Sequence, residues 1–144
     1  ATFLVARAEY EGHMRAPIGA VRTLWPDWFA PRRVEYAGPA VGPFSSSAPL
    51  TRDGDLFLLP TPGHSYGHQS IVLRDGAQTY FFAGDLAFSA AQLHSQGLQG
   101  IAYNLSQARD TLARTLRFVN ETAAVFLPTH DPESLARLQN SARH

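Results

Sequence analysis

Leu58-Leu59-Pro60-Thr61-Pro62-Gly63-His64-Ser65-Tyr66-Gly67-His68 joins an apolar strand to a turn and delivers a histidine just past the strand's end. Prolines and glycines stop the ladder there, because proline lacks the N–H and glycine accepts backbone angles other residues avoid. The same grammar occurs twice more. Tyr80-Phe81-Phe82-Ala83-Gly84 leads to Asp85, and Val125-Phe126-Leu127-Pro128-Thr129 leads to His130. Strands that end on one edge of a sheet bring such residues together. Imidazole and carboxylate donors suit zinc, with iron or manganese as alternatives. A single histidine after a strand is more often a surface or capping residue, and a single Gly-Asp is more often a turn. Three repeats of one pattern favour a shared site, with His64, Asp85 and His130 as its metal-ligating candidates and Asp85 as the catalytic one.

Outward from this stretch the pattern is α with β in one domain. Phe3–Ala6 reads as a strand, and Arg7–Met14 as a short helix. Pro17–Ser47 is a proline-rich excursion with a strand near Arg33–Tyr36; excursions this long are usually functional or mobile. Asp55–Pro60 is a strand after the Asp53-Gly54 turn. Gln69–Arg74 and Thr79–Ala83 flank Asp75-Gly76 and predict a hairpin. Leu105, Ala108, Leu112, Leu116 and Val119 recur at helical spacing and predict a helix over Leu105–Asn120 that packs on a sheet. Ala123–Leu127 reads as a buried strand. The last helix is expected to open with Asp131 as N-cap and Pro132 at its first position.

Formal charge is zero, which argues against a nucleic-acid surface. The absence of cysteine excludes disulfides and thiolate metal sites. No apolar run has the length of a membrane span, and no signal peptide is legible, so no membrane partner and a cytoplasmic location are expected. Ala1-Thr2-Phe3-Leu4-Val5-Ala6 begins as if inside a buried strand, which predicts a truncated domain over residues 1–144. Trp25, Trp28 and Phe29 are expected to pack the excursion rather than line a pocket. Arg32-Arg33 reads as a solvated edge, and His13, His94 and the terminal His144 as surface residues.

Thr61-Pro62-Gly63-His64-Ser65-Tyr66-Gly67-His68, Gly84-Asp85 and Pro128-Thr129-His130-Asp131 together resemble, in order and interval, the later motifs of metallo-β-lactamase-fold hydrolases. The N-acyl homoserine lactonase-like branch is the most similar, through Tyr36–Pro39, Leu50–Asp55 and Phe3–Tyr10. The resemblance implies the later portion of an αββα sandwich, with a mixed, largely antiparallel sheet flanked by helices. It implies that His64 binds one metal, Asp85 bridges two, His130 binds the second, and His68 supports them by hydrogen bonds. It implies zinc-dependent attack of a metal-bound hydroxide on a small lactone or other ester. The family's H-x-H-x-D-H motif is absent, so the metal site is expected to be incomplete and this chain alone inactive. Phe88 stands where lactonases of this branch often carry a tyrosine that meets the substrate carbonyl.

Two other readings use the same residues. Gly63-His64-Ser65-Tyr66-Gly67 fits G-x-S-x-G, which makes Ser65-Asp85-His130 a serine α/β-hydrolase triad in that fold's chain order. That elbow requires a strand running into the serine and a helix after it. Alternatively the chain is a non-catalytic half-domain that forms a homo-oligomer or pairs with a missing N-terminal segment, because an open sheet edge and uncovered apolar surface favour pairing.

Overall fold

The computed structural model describes residues 2–15, 26–98 and 100–140. Trp25, His144 and the first part of the excursion, 16–25, lie outside the described residues, as does the side chain of His13. Eleven elements follow in order: β1 (Leu4–Ala6), α1 (Arg7–Arg15), β2 (Arg32–Val34), β3 (Ala48–Pro49), β4 (Leu56–Pro60), β5 (Gln69–Asp75), β6 (Gln78–Gly84), α2 (Ala90–Ser95), α3 (Leu105–Thr122), β7 (Val125–Pro128) and α4 (Ser134–Asn140).

β3-β4-β5-β6-β7 form one five-stranded sheet, and β1-β2 a separate parallel pair. β4 is antiparallel to β5, β5 to β6, and β6 is parallel to β7. β4, β6 and β7 therefore all run the same way. The hairpin forms as the sequence predicts, but Asp75 pairs with Gln78, so its turn centres on Gly76-Ala77. Gly76 has φ 57°, and a glycine with positive φ leading a two-residue turn matches the right-handed strand twist.

One face of the sheet carries Phe57, Leu59, Val72, Phe81, Ala83 and Phe126, all packed in a core with Leu93 of α2 and Leu112, Phe118 and Val119 of α3. The inward stripe of α3 differs from the expected one. Leu105 is exposed, and Thr111, Thr115 and Phe118 are buried instead. Thr111 can turn inward because its hydroxyl donates to the carbonyl of Pro62 at 2.6 Å. Asn104 caps the helix start by accepting from Gln107 N–H, and Ala123, in the left-handed region at φ 49°, closes its end. Ala123 thus belongs to the helix cap, and the strand begins at Val125.

The opposite face is covered at one end by the β1-β2 pair, where Leu58 packs with Val34, Ala48, Leu4 and Tyr36. At the other end α4 lies against β7, and Phe82, Leu127, Leu135 and Leu138 line a cavity of about 260 Å³. Arg32 and Arg33 are solvated, as expected. Trp28 is 71% exposed yet stacks its edge near Phe29 and Phe3, an aromatic cluster on the surface rather than under a loop.

β3, α2 and α4 also depart from the sequence expectation, β3 being a two-residue strand just after the expected excursion. α2, six residues long, is too short to show a helical period. α4 begins at Ser134 rather than after Asp131, because Asp131 and Ser134 close a turn first. No described helix is long and apolar enough to cross a membrane.

Phe118 contacts the rings of Phe44 and Phe81 and is almost fully buried. Phe118→Ala is expected to cost about 3–5 kcal/mol, measured by urea unfolding. A loss below about 1 kcal/mol would mean that α3 does not seal this core.

Candidate metal centre

Because β4, β6 and β7 are codirectional, their carboxyl ends meet at one edge of the sheet. His64 follows β4, Asp85 follows β6 and His130 follows β7. The structure brings all three together. His64 Nε2 lies 3.6 Å from Asp85 Oδ2, and His130 Nε2 lies 3.2 Å from Asp85 Oδ1. Each imidazole faces its own carboxylate oxygen. A bulge on β6 contributes to the aim: Phe82 pairs with Leu127 and Gly84 with Pro128, which leaves Ala83 extra just before Asp85.

The His64 ring is held by its far side. Nδ1 lies 3.2 Å from the carbonyl of Ile101, which can only accept, so Nδ1 carries the proton. In the neutral ring that leaves the Nε2 lone pair toward Asp85, the state a metal ligand needs. The loop is anchored as well: Tyr103 N–H donates to the His64 carbonyl and Asn104 N–H to that of Gly63. Gly63 is required there. At φ 135° its backbone is closed to other residues, and a Cβ would sit 2.4 Å from the backbone of Ala108 in α3.

His68 supports Asp85 from beneath. Its Nε2 accepts the Asp85 backbone N–H at 3.0 Å, so Nδ1 holds the ring proton and donates toward Thr61, whose Oγ1 is 2.9 Å away. Thr61 Oγ1 is 2.9 Å from Ser70 Oγ, and Ser70 donates to the carbonyl of Ala83. The chain has a direction. An N–H that can only donate stands at one end and a carbonyl that can only accept at the other. Burial, reinforced by His64, lowers the pKa of His68 against the opposing pull of the Thr61 carbonyl and Asp85, which keeps the ring neutral. Gly84 is the second required glycine, since a Cβ there would lie 2.7 Å from His68 Nε2.

His130 packs its ring against Phe88, with centroids 5.0 Å apart in a T-shaped arrangement. Asp131 accepts the Glu133 N–H as a cap does, and in addition accepts from Ala90 N–H and pairs with Arg137 at 2.6 Å. Burial raises the Asp131 pKa, but these N–H donors and the guanidinium outweigh it, and the carboxyl sits below the usual range. The sequence reading missed Arg137. The available signal was an arginine inside Leu135-Ala136-Arg137-Leu138. Exposed His94, by contrast, lies on α2 as a surface residue, as read.

The donors fit a metal in type and spacing. Zinc holds nitrogen and oxygen at about 2.0–2.2 Å, so two ligands at a tetrahedral angle stand about 3.4 Å apart. The separations of 3.6 and 3.2 Å bracket that figure. They do not fit in number. Among the described residues no group of three or more His, Cys, Asp and Glu converges on one point. Each position draws one imidazole and one carboxylate oxygen, where a catalytic zinc takes three protein ligands.

Residues 4–130 match the family model of the metallo-beta-lactamase superfamily. The chain belongs to that superfamily. It is 24% identical over 98% of its length to the N-acyl homoserine lactonase AttM of Rhizobium radiobacter, of which it spans 54%. Thus the chain spans about half the length of the relatives it matches. An N-acyl homoserine lactone hydrolase, solved with N-hexanoyl-L-homoserine at its catalytic metal center, superposes with TM-score 0.70 at 20% identity, over 97% of this chain and 49% of that one. AidC, described as a dizinc quorum-quenching lactonase, superposes with TM-score 0.66 at 14% identity, over 92% of this chain and 48% of that one. The fold is therefore the metallo-β-lactamase fold over half of those structures' length. Within it, Ser65 lies in a turn between β4 and β5, a strand–turn–strand setting rather than the strand–turn–helix of a nucleophile elbow.

Thr61 is fully buried at the middle of the hydrogen-bond chain. Thr61→Val removes its hydroxyl and leaves His68 and Ser70 without that partner. The expected loss is about 1–3 kcal/mol in urea unfolding. An unchanged midpoint would show that the chain of bonds carries no stability.

Proposed function

We propose that this chain supplies one side of a two-metal hydrolytic centre that acts on a lactone or other ester. His64 and His130 would each hold a divalent ion, most simply zinc, with Asp85 as the carboxylate shared between them. The observation that carries this reading is the placement of one imidazole Nε2 before each oxygen of a single carboxylate. Divalent metal there supplies Lewis-acid activation of water and of the substrate carbonyl. The chain's own residues fix the donors: Ile101 sets the His64 tautomer, and His68 holds the Asp85 backbone. With two donors per position, the three residues alone bind metal weakly and turn over little; a working centre needs further donors. The lactone preference rests on the activity of the similar lactonases. Phe88 offers no hydrogen bond to a substrate carbonyl, so the carbonyl must be oriented by other groups.

Zinc titrated calorimetrically into the 144-residue chain is expected to bind weakly. His64→Ala or His130→Ala should remove one position, and Asp85→Ala both. Zinc binding unaltered by Asp85→Ala would sink the proposal. Ser65→Ala should leave both zinc binding and any hydrolysis of N-hexanoyl homoserine lactone near the parent level. Complete loss of hydrolysis in Ser65→Ala, with no metal bound, would instead establish the serine triad.

A second reading concerns association. Ile71 is 39% exposed on the same sheet face as its register partners Phe82 and Leu58, and Leu135 and Leu138, which line a cavity with Phe82, are 62% and 41% exposed. A second copy of the chain is the partner we infer for this face. Sedimentation is expected to show a dimer that Leu135→Glu with Leu138→Glu converts to monomer. A monodisperse monomer of the parent chain would refute it.

A further inference from the structure

We propose that Asp131 and Arg137 are positioning residues that hold the His130 imidazole against Asp85. This rests on the reading above that His130 is a metal donor. The two side chains form a nearly buried ion pair, with 7% and 9% exposure and a separation of 2.6 Å. A buried pair of this kind is a weak source of stability by itself, because desolvation offsets the attraction.

The contacts show which geometry is fixed. Arg137 Nε donates to the carbonyl of Phe126 in β7, which ties α4 to the strand that delivers His130. Asp131 Oδ2 receives both Arg137 Nη2 and the backbone N–H of Ala90. Ala90 starts α2, two residues after Phe88, whose ring packs on His130. The turn between β7 and α4 is closed by Ser134 N–H to the Asp131 carbonyl and by Ser134 Oγ to that of Pro128. His130 is therefore clamped on two sides. Its own backbone is held through Asp131, and the ring it leans on is held through Ala90, by the same carboxylate oxygen. An arginine whose role ended at anchoring α4 would need the Phe126 contact only. The bond across to α2 is what joins the two walls around His130.

The effect can be read without metal and with it. In the metal-free chain, nuclear Overhauser contacts between the rings of Phe88 and His130 are expected in the parent and lost in Arg137→Met and in Ala90→Pro. Cobalt(II) added to the same proteins should bind about tenfold or more weakly in both variants, the scale on which residues behind a metal ligand act. Neither variant should weaken cobalt further once His130→Ala is present. Arg137→Met leaves a buried carboxylate unpaired, and circular dichroism will show whether it folds. Ala90→Pro is the variant that keeps the question open to answer. It deletes one N–H at a helix's first position, where proline is favoured, and Ser89 before it is already extended at φ −155° and ψ 162°.

Ring contacts that persist in every folded variant would overturn the proposal. So would an equal loss of cobalt affinity with and without His130, which would make the brace merely structural. If His130→Ala itself leaves cobalt binding unchanged, the metal reading fails separately, and the ring contacts alone decide whether the brace positions His130.

Discussion

Strands β4, β6 and β7 run in one direction, and every donor at the site depends on that constraint. A hairpin brings β5 back antiparallel, and the long α3 connection brings β7 in parallel beside β6. The three codirectional strands then release their chains at one edge, where the ladder ends and side chains are free to turn toward a shared point. The hydrogen-bond chain from Asp85 N–H through His68, Thr61 and Ser70 to Ala83 ties β4, β5 and β6 together just beneath that edge. The sheet supplies the convergence and the buried polar chain fixes its detail.

The convergence of His64, Asp85 and His130 was legible because each sits at an abrupt change of pattern. An apolar strand stops at Pro, Gly or Thr and a polar side chain follows, and tertiary context has little room to move such a boundary. The hairpin was legible for the same reason. α2 was not, because Ala90–Ser95 makes fewer than two turns and buries only Leu93. The inward face of α3 was misjudged where apolarity alone was used. Thr111 is buried because Pro62 offers it a carbonyl, while Leu105, in the first turn beside the cap, stays in solvent. Asp131 has the sequence signature of a cap, and local rules cannot anticipate that Ala90 and Arg137, 41 and 6 residues away, claim the same carboxylate.

Membership of the metallo-beta-lactamase superfamily and the geometry at Asp85 bear on different questions. The family match fixes the fold. The geometry gives the number of donors. One carboxylate stands between two imidazoles, with one oxygen toward each. Phe88 and Tyr103 mark the neighbouring surface, the first packed on His130 and the second bonded to the His64 backbone.

The direction of the His68 hydrogen-bond chain has a consequence for reorganisation. Its two ends are backbone groups whose roles cannot be exchanged, so the tautomer of His68 and the plane of the Asp85 peptide are fixed by the protein alone. Ile101 does the same for His64. Were a metal bound there, little ordering entropy would be left to lose. Weak affinity in this chain would accordingly reflect how few electron pairs reach each ion, and adding donors would raise affinity without any rearrangement of the scaffold that waits for them.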